Sequence, residues 1–116
     1  MGGTSSTPKL LYNAEKSLIN DLITKNCVVI FSKTQCIYCR KVKKLLTESS
    51  VPFLSIELDK REDGTNLQNA LTEITGVRTV PRVFINQECV GGASDVEKLH
   101  KEEKLMEKIK LCCNSL

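Results

Sequence analysis

Two cysteines, Cys36 and Cys39, are separated by two residues in the stretch F-S-K-T-Q-C-I-Y-C-R. An apolar run that leads through a loop into a C-x-x-C pair at a helix start is typical of a thiol–disulfide redox site. The unpaired N–H groups at a helix N-terminus favour an anion, so they favour the thiolate of Cys36, which is the form that attacks disulfides. Lys33 and Arg40 add positive potential on either side. We therefore predict that Cys36 is the attacking sulfur and that Cys39, one helical turn further on, is the more buried resolving sulfur.

Other interpretations of the cysteine pair have weaker support. Half of a zinc site would need a second pair of ligands, and Cys112 and Cys113 are adjacent, which is a poor chelating geometry. The single histidine, His100, is predicted to lie on a solvated helix face. Cysteines that only pack in a core have no reason to stand at a helix start between cations. The pair therefore favours redox chemistry.

The composition is that of an ordinary globular chain. The 116 residues are 41% hydrophobic and 27% charged, and the net charge is +3. A basic cluster follows the cysteine pair, but no stripe of basic and aromatic residues indicates nucleic acid. We expect a flexible tail over residues 1–10, where Gly2 and Ser6 also fit an acylation pattern, and one domain over residues 11–116. The opening residues resemble neither a secretory signal nor a transit peptide, so we expect a cytoplasmic location with most of the six cysteines reduced.

Hydrophobic periodicity predicts alternating helices and strands. The predicted helices are Ala14 to Lys25, the cysteine pair to Ser49, Thr65 to Thr75, Val96 to His100 and Glu102 to Cys112. The predicted strands are Cys27 to Phe31, Phe53 to Leu58, Arg82 to Ile85 and Glu88 to Val90. The first two strands flank a helix and should be parallel, whereas the last two are joined by Asn86-Gln87 and should form a hairpin. The pattern predicts an α/β fold with a mixed sheet between helices.

Three stretches in this order and spacing resemble the dithiol glutaredoxins: F-S-K-T-Q-C-I-Y-C-R, T-V-P-R-V-F-I and C-V-G-G-A-S-D. The resemblance runs from about Ala14 to Cys112. It implies a thioredoxin-like fold with a four-stranded mixed sheet sandwiched by helices. It also implies a glutathione-dependent thiol–disulfide oxidoreductase that acts as a monomer. Such an enzyme reduces protein–glutathione mixed disulfides through Cys36 alone and protein disulfides through Cys36 and Cys39.

The resemblance further implies a glutathione-binding site. Lys33, assisted by Gln68, would pair with the glycine carboxylate of glutathione, and Tyr38 would wall the groove. Val80, before a cis Pro81, would pair its backbone with the cysteinyl part, while helix-start N–H groups and Asp95 would hold the γ-glutamyl end. The complete implied set is Lys33, Tyr38, Gln68, Thr79, Val80, Pro81, Gly92, Ser94 and Asp95. From the residues alone, Asp95 is equally compatible with a helix cap and Gln68 with a solvated helix position.

The sequence departs from the commonest glutaredoxin motif, C-P-Y-C, at Ile37. Within the family, a residue other than proline at this place is associated with a [2Fe-2S] cluster that bridges two subunits, ligated by glutathione and by the first cysteine of each. The alternative function is therefore a cluster-binding homodimer in redox sensing or cluster delivery, with Cys36 as the metal ligand. A thioredoxin-type reductase is less favoured, because the W-C-G-P-C motif is absent. Of the remaining cysteines, Cys27 and Cys112 are predicted to pack in the core, and Cys89 and Cys113 to be exposed.

Overall fold

The structure, a computed structural model, describes residues 11–113. The expectations for residues 1–10, including the acylation pattern, lie outside the described residues. The helices are α1 (Asn13–Lys25), α2 (Ile37–Glu48), α3 (Gly64–Thr75), α4 (Ala93–Lys101) and α5 (Leu105–Lys110). The strands are β1 (Val28–Ser32), β2 (Leu54–Glu57), β3 (Arg82–Ile85) and β4 (Glu88–Gly91). The predicted α/β fold with a four-stranded mixed sheet between helices is confirmed.

The sheet has the strand order β2-β1-β3-β4. As predicted, β1 pairs with β2 in parallel, and β3 and β4 form an antiparallel hairpin. Asn86 and Gln87 both have positive φ, 51° and 70°, as a two-residue hairpin turn that matches the twist of the strands requires. Both faces of the central strand β1 are covered, and all five of its residues are buried.

Alternate residues of β1 belong to two hydrophobic cores, because successive side chains of a strand point to opposite faces. On one face, Val28 and Ile30 pack in a core with residues of α2, α4 and α5. On the other face, Val29 and Phe31 pack with residues of α1 and α3. The sheet is therefore sandwiched, and β1 is fixed from both sides.

The topology brings one end of each of the four strands together on the same side of the sheet, which is called this edge below. β1 and β2 are parallel, so their carboxyl ends meet there. β3 runs antiparallel to β1 and therefore begins at this edge, where Arg82 is paired with Phe31. β4 runs back and ends there, and α4 follows it. The loop from β1 to α2, the Val80-Pro81 segment and the start of α4 are thus neighbours.

Several helix ends differ from the prediction. α1 begins at Asn13 itself, and the cap residue is Tyr12, which has a left-handed φ of 62°. α5 is shorter than predicted, because Glu103 takes a positive φ of 58° and turns the chain before the helix starts. The 3-10 turn Leu58–Lys60 was not predicted. None of these three places carries a Gly or Pro, which are the residues that most strongly indicate where a helix or strand ends.

One pair of cysteines departs from the expectation that most of the six are reduced. Cys27 and Cys112, expected to pack as thiols, form a disulfide with a Cα–Cα distance of 5.3 Å. They are 85 residues apart in sequence, and only the packing of α5 against β1 brings them together. Cys89 and Cys113, expected to be exposed, are half-buried. In the described part of the chain, no helix is long and apolar enough to cross a bilayer.

Candidate functional site

The two sulfurs of the motif stand at the N-terminus of α2. Cys36 is the cap residue, with extended backbone, and its Sγ accepts a hydrogen bond of 3.1 Å from the N–H of Cys39. The N–H of Arg40 donates to the carbonyl of Cys36, and so continues the first helical turn. A helix N-terminus leaves N–H groups without intrahelical partners, and one of them is aimed at this sulfur. The arrangement favours negative charge on Cys36.

Cys39 has the opposite surroundings. Its side chain is fully buried, whereas Cys36 is half-buried. Burial raises the pKa of the Cys39 thiol above its ordinary value, because an apolar surrounding disfavours the charged form, and the interaction with the Cys36 sulfur adds to the effect. The predicted division between an accessible and a buried sulfur therefore agrees with the geometry.

A surface depression of about 300 Å³ opens beside Cys36. It is lined by Cys36 and by Lys33 and Val80, two residues of the implied glutathione-binding set. The carbonyl oxygen of Val80 lies 3.8 Å from Cys36 Sγ, and the Val80-Pro81 peptide bond is cis, as predicted. The depression thus combines a thiol, a cation and the main chain of Val80, which lies before the first residue of β3.

Asp59 lines the same depression and was not predicted. Its carboxylate accepts hydrogen bonds from the N–H of Thr34, at 3.1 Å, and from the Thr34 hydroxyl. The Thr34 hydroxyl holds the pKa of the Asp59 carboxyl below its usual range. Asp59 lies two residues after the end of β2, and Thr34 two residues after the end of β1, so the parallel pairing of these strands was the signal that could have found this contact.

Tyr38 and Ser94 line a separate and larger groove of about 570 Å³ between α2 and α4. The Tyr38 side chain is 61% exposed, and Lys41 Nζ lies 5.5 Å from the centre of its ring. A cation at this distance over a tyrosine ring is attracted by its π electrons. Tyr38 therefore presents an aromatic wall on the α4 side of the motif.

The start of α4 is built around Asp95. Its Oδ2 accepts a hydrogen bond of 2.9 Å from the N–H of Gly92, which is the cap residue of the helix. The helix was predicted to begin at Val96, but Ser94 and Asp95 already lie inside its first turn. Gly91 has a φ of 119°, and a Cβ added there would lie 2.2 Å from Asp95 Oδ2. Only glycine fits this approach of backbone to carboxylate.

Gln68 lies on α3, and Thr79 directly precedes Val80. Gln68 Nε2 donates a hydrogen bond of 2.8 Å to the carbonyl of Arg78, so this side chain supports the segment that leads into Val80. Thr79 is exposed and Pro81 is buried. The glutathione-binding roles implied for these residues remain predictions.

The implied residues therefore fall into three neighbouring groups. Lys33, Cys36 and Val80 share the sulfur-side depression, and Tyr38 and Ser94 share the larger groove. Asp95 is directed at Gly92 on the β4 side. Chemically, the arrangement can hold an extended peptide-like thiol beside a nucleophilic sulfur.

Within residues 11–113, no three histidine, cysteine, aspartate or glutamate side chains come together in a way that could hold a metal ion. A cluster of the kind implied by the resemblance takes one protein thiolate from each subunit. Cys36 is the member of the motif with an exposed surface, while Cys39 is buried. The donor set of one chain thus fits half of such a bridging site.

Comparisons with known proteins identify the family of this chain. The glutaredoxin family model matches residues 28–90. The mitochondrial glutaredoxin-2 of Homo sapiens is 47% identical over 109 residues, which cover 94% of this chain and 66% of that relative. A glutaredoxin of Vernicia fordii is 50% identical over 86 residues, which cover 74% of this chain and 83% of the relative. The crystal structure of a buckwheat glutaredoxin–glutathione complex superimposes with a TM-score of 0.86 at 38% identity, over 88% of this chain and 93% of that one.

The comparison also corrects one expectation. Five mammalian relatives, the human protein among them, are named mitochondrial, so the predicted cytoplasmic location is wrong. The chain spans between 60% and 73% of the length of these relatives. The cytoplasmic prediction depended on the opening residues alone.

Proposed function

Because this chain belongs to the glutaredoxin family of glutathione-dependent thiol–disulfide oxidoreductases, we propose that it reduces protein–glutathione mixed disulfides through Cys36. The observation that carries the proposal is the Cys36 sulfur itself. It caps α2, accepts the N–H of Cys39 at 3.1 Å and borders the depression that Lys33 and Val80 line. A half-buried thiolate beside a cation and an open backbone suits attack on the sulfur of bound glutathione.

In the proposed first step, the Cys36 thiolate attacks the glutathione sulfur of a mixed disulfide. A bond forms between Cys36 Sγ and that sulfur, and the substrate protein leaves as a thiolate, which takes a proton from solvent. A second glutathione thiolate then attacks the glutathione sulfur on Cys36. Oxidised glutathione leaves, and Cys36 is again a thiolate held by the N–H of Cys39.

Protein disulfides would require the second sulfur. Attack by Cys36 on such a disulfide gives a mixed disulfide with the substrate protein. Cys39 lies directly behind it, with its N–H 3.1 Å from Cys36 Sγ. Attack by the Cys39 thiolate forms the Cys36–Cys39 bridge and releases the substrate as a dithiol. Two molecules of glutathione reopen the bridge.

Bound glutathione would lie along the groups already described. Lys33, assisted by Gln68, suits the glycine carboxylate of glutathione. The backbone of Val80, between Thr79 and Pro81, suits the cysteinyl part. Tyr38 would wall the path, and the N–H groups at the start of α4, near Gly92, suit the γ-glutamyl carboxylate. The Asp95 carboxylate suits the ammonium group of the same residue.

The proposal is tested by comparing two variants on a glutathionylated peptide. Cys36→Ser should abolish deglutathionylation, because it removes the nucleophile. Cys39→Ser should keep much of it, because the monothiol route does not use Cys39. Equal loss of kcat/KM in both variants would overturn the monothiol route. The matched control is Cys89→Ser, which removes a half-buried thiol outside the motif and should leave the rate unchanged.

A bridging [2Fe-2S] cluster is the second candidate function, favoured by the surroundings of Ile37. This side chain, next to Cys36, is 64% exposed. A second subunit approaching Cys36 would cover it, and apolar surface covered in this way stabilises association. When bound, the cluster would supply redox-sensitive iron held by one Cys36 thiolate from each chain. Anaerobic reconstitution with iron, sulfide and glutathione tests this. Visible absorbance in a dimer is expected, whereas a colourless, iron-free monomer would contradict it.

We also propose a mitochondrial location, from the names of the five mammalian relatives. The natural gene product, tagged at its C-terminus, should fractionate with a matrix marker. Recovery with a cytosolic marker only would contradict the proposal.

A further inference from the structure

An arginine side chain lies between two segments of the proposed glutathione site. Arg82 is the first residue of β3, and its Nε donates a hydrogen bond of 3.1 Å to the carbonyl oxygen of Pro81. The guanidinium also lies against Gly92, the cap residue of α4, because a Cβ added to Gly92 would be 2.8 Å from Arg82 Nη2. Arg82 therefore joins the Val80-Pro81 segment to the start of α4.

The guanidinium has no acidic partner in the described part of the chain. Arg82 takes part in none of the ion pairs found within residues 11–113, although it is half-buried. A cation that loses part of its hydration usually gains a carboxylate in exchange. Here the guanidinium gains the carbonyl of Pro81 and the surface of Gly92 instead. Its contacts are thus with the two segments that the resemblance assigns to glutathione.

The β3–β4 ladder ends before it reaches these two segments. Its last pair joins Val83 to Gly91, next to a shift of register. Pro81 and Gly92 lie beyond this pair, and proline has no N–H with which a ladder could continue. The guanidinium of Arg82 spans the two segments at the place where the strands no longer hold them together.

The close approach of Arg82 also explains why position 92 is a glycine. Gly92 has a φ of −106°, which any residue adopts. A Cβ there would meet Arg82 Nη2 at 2.8 Å, whereas the next nearest atom, the Pro81 carbonyl oxygen, would be at an ordinary contact distance of 3.5 Å. The end of an arginine side chain is flexible and can swing away. Gly92→Ala should therefore displace the guanidinium and leave the backbone as it is.

We propose that Arg82 is a positioning residue that holds the γ-glutamyl subsite at its distance from the cysteinyl subsite, and so makes Cys36 selective for disulfides of glutathione. The γ-glutamyl subsite is the start of α4 near Gly92, and the cysteinyl subsite is the main chain of Val80. One bound glutathione must contact both, so a fixed spacing lets each contact form without distortion. The inference rests on the proposed function and deepens it, because it names the part of the substrate that the protein recognises.

A truncated substrate isolates the γ-glutamyl subsite. Glutathione carries its γ-glutamyl group on the amide nitrogen of its cysteine. N-acetyl-cysteinylglycine keeps the cysteine, the glycine and that amide, but a methyl group replaces the rest of the γ-glutamyl group. A disulfide of this thiol can still use Lys33 and the main chain of Val80, but it cannot use the start of α4. The ratio of the rates on the two disulfides therefore measures the γ-glutamyl subsite.

The experiment uses Cys39→Ser as the parent protein and one peptide in two mixed disulfides, one with glutathione and one with N-acetyl-cysteinylglycine. Release of the peptide thiol is followed by rapid acid quench without added thiol. In the parent, the second-order rate constant should be about tenfold higher for the glutathione form, because the γ-glutamyl group adds charge-assisted hydrogen bonds. Arg82→Met, which keeps an apolar stem, should lower this ratio to about twofold by slowing the glutathione form only.

A second variant removes the same contact from the side of α4. Gly92→Ala should lower the ratio as Arg82→Met does, since it displaces the guanidinium. The double variant Arg82→Met/Gly92→Ala should then equal Arg82→Met alone, because both changes remove one interaction. A further loss in the double variant would mean that a methyl group at position 92 obstructs glutathione directly, and would overturn the role of Arg82. Arg61→Met, which removes an exposed arginine paired with Asp63, is the control and should keep the parent ratio.

A third variant separates position from charge. Arg82→Lys keeps the positive charge but loses the planar fork, so it cannot both donate to the Pro81 carbonyl and lie flat against Gly92. The ratio should stay low in this variant. A parent ratio in Arg82→Lys would mean that the charge alone is sufficient, and would overturn the positioning role.

Failure of this proposal is distinguishable from failure of the proposed function. Equal parent rates on the two peptides, or a parent ratio in Arg82→Met, would overturn the selectivity, whereas deglutathionylation through Cys36 would stand. Equal slowing of both peptides by Arg82→Met would mean that Arg82 supports the whole site, and would also overturn the proposal. If Arg82→Met does not fold, Gly92→Ala still decides, since an unchanged ratio there would overturn it. Release retained after Cys36→Ser would instead refute the proposed function itself.

Discussion

At the scale of single residues, Cys36 and Cys39 differ more than their spacing in sequence indicates. One helical turn separates them, yet Cys36 caps the helix and Cys39 is fully buried. The same N–H that stabilises a Cys36 thiolate comes from the residue whose own thiol is held protonated by burial. Their surroundings therefore suit Cys36 to the proposed role of attacking sulfur and Cys39 to that of resolving sulfur, although both belong to one short motif.

Lys33→Gln tests the cation beside Cys36. Lys33 lines the sulfur-side depression, and its loss should remove an ion pair to the glycine carboxylate of glutathione. We expect KM for glutathione to rise about fivefold with a smaller change in kcat, because the interaction is made in the ground state and the transition state alike. Steady-state kinetics with glutathione as the variable substrate measures this. Lys25→Gln, an exposed lysine at the far end of α1, is the charge-matched control, and an equal rise there would contradict the assignment.

The sequence predicted some residues of the site well and missed others for physical reasons. Pro81 is cis, as the resemblance implied, whereas residue type alone would not have selected this bond, because most X-Pro bonds in folded proteins are trans. Asp59 was missed, because its partner Thr34 is 25 residues away and only the parallel pairing of β1 and β2 places the two residues side by side. Cys27 was read as a packing thiol for the same reason, since its partner lies at the other end of the chain.

At the scale of elements, α2 is tied to β2 by a cluster of polar groups. Glu57 of β2 accepts from Lys43 of α2 and from two serines, Ser32 and Ser55. Burial acts to raise the pKa of Glu57, but these hydrogen bonds outweigh it and hold the pKa below its usual value. The cluster fixes the helix that carries both cysteines against the strand that ends beside them.

Lys43→Gln should destabilise the protein in a pH-dependent way. The folded-state pKa of Glu57 is lowered, so its contribution to stability is present above the unfolded pKa and is lost as pH falls through the folded pKa. We expect the free energy of unfolding to fall by about 1 kcal/mol at neutral pH, and the difference from wild type to close in acid. Urea unfolding at several pH values measures it. Lys44→Gln, on the exposed face of the same helix, is the control, and a difference independent of pH would contradict the role of Glu57.

Element types were more predictable than element ends. The alternation of apolar and β-branched residues predicted all four strands, because burial on one or both faces imposes a pattern that is readable locally. The start of α4 was placed too late, because Gly92 caps the helix through its backbone and Asp95 bonds back to it from inside the first turn. Sequence patterns favour side-chain caps, so a glycine cap gives little signal.

At the scale of the whole molecule, the Cys27–Cys112 disulfide links two segments that are far apart in sequence. It joins the residue before β1 to the segment after α5, and the two cysteines are 85 positions apart in sequence. Ile109, in the same region, is fully buried in the core that contains Val28 and Ile30. The bridge therefore fastens the last helix to the central strand, on the side of the sheet that also carries α2.

Cys27→Ser with Cys112→Ser should lower stability without loss of deglutathionylation. A crosslink that closes a long loop restricts the unfolded chain and contributes about 2–4 kcal/mol. We expect a thermal midpoint several degrees lower for the double variant, and an unchanged kcat/KM at 25 °C, because Cys36 and its depression lie at a different edge of the sheet. Calorimetry with and without reductant measures the change in midpoint. A midpoint that neither reductant nor the double substitution lowers would contradict the structural role.

The most direct test of Cys36 as the glutathione-carrying nucleophile is to trap the intermediate. Cys39→Ser protein is treated with oxidised glutathione, and the site of modification is mapped by mass spectrometry of its peptides. We predict one glutathionyl group on Cys36, removed completely by added glutathione. Modification confined to Cys89 or Cys113, or no modification at all, would contradict the assignment of Cys36 as the attacking sulfur.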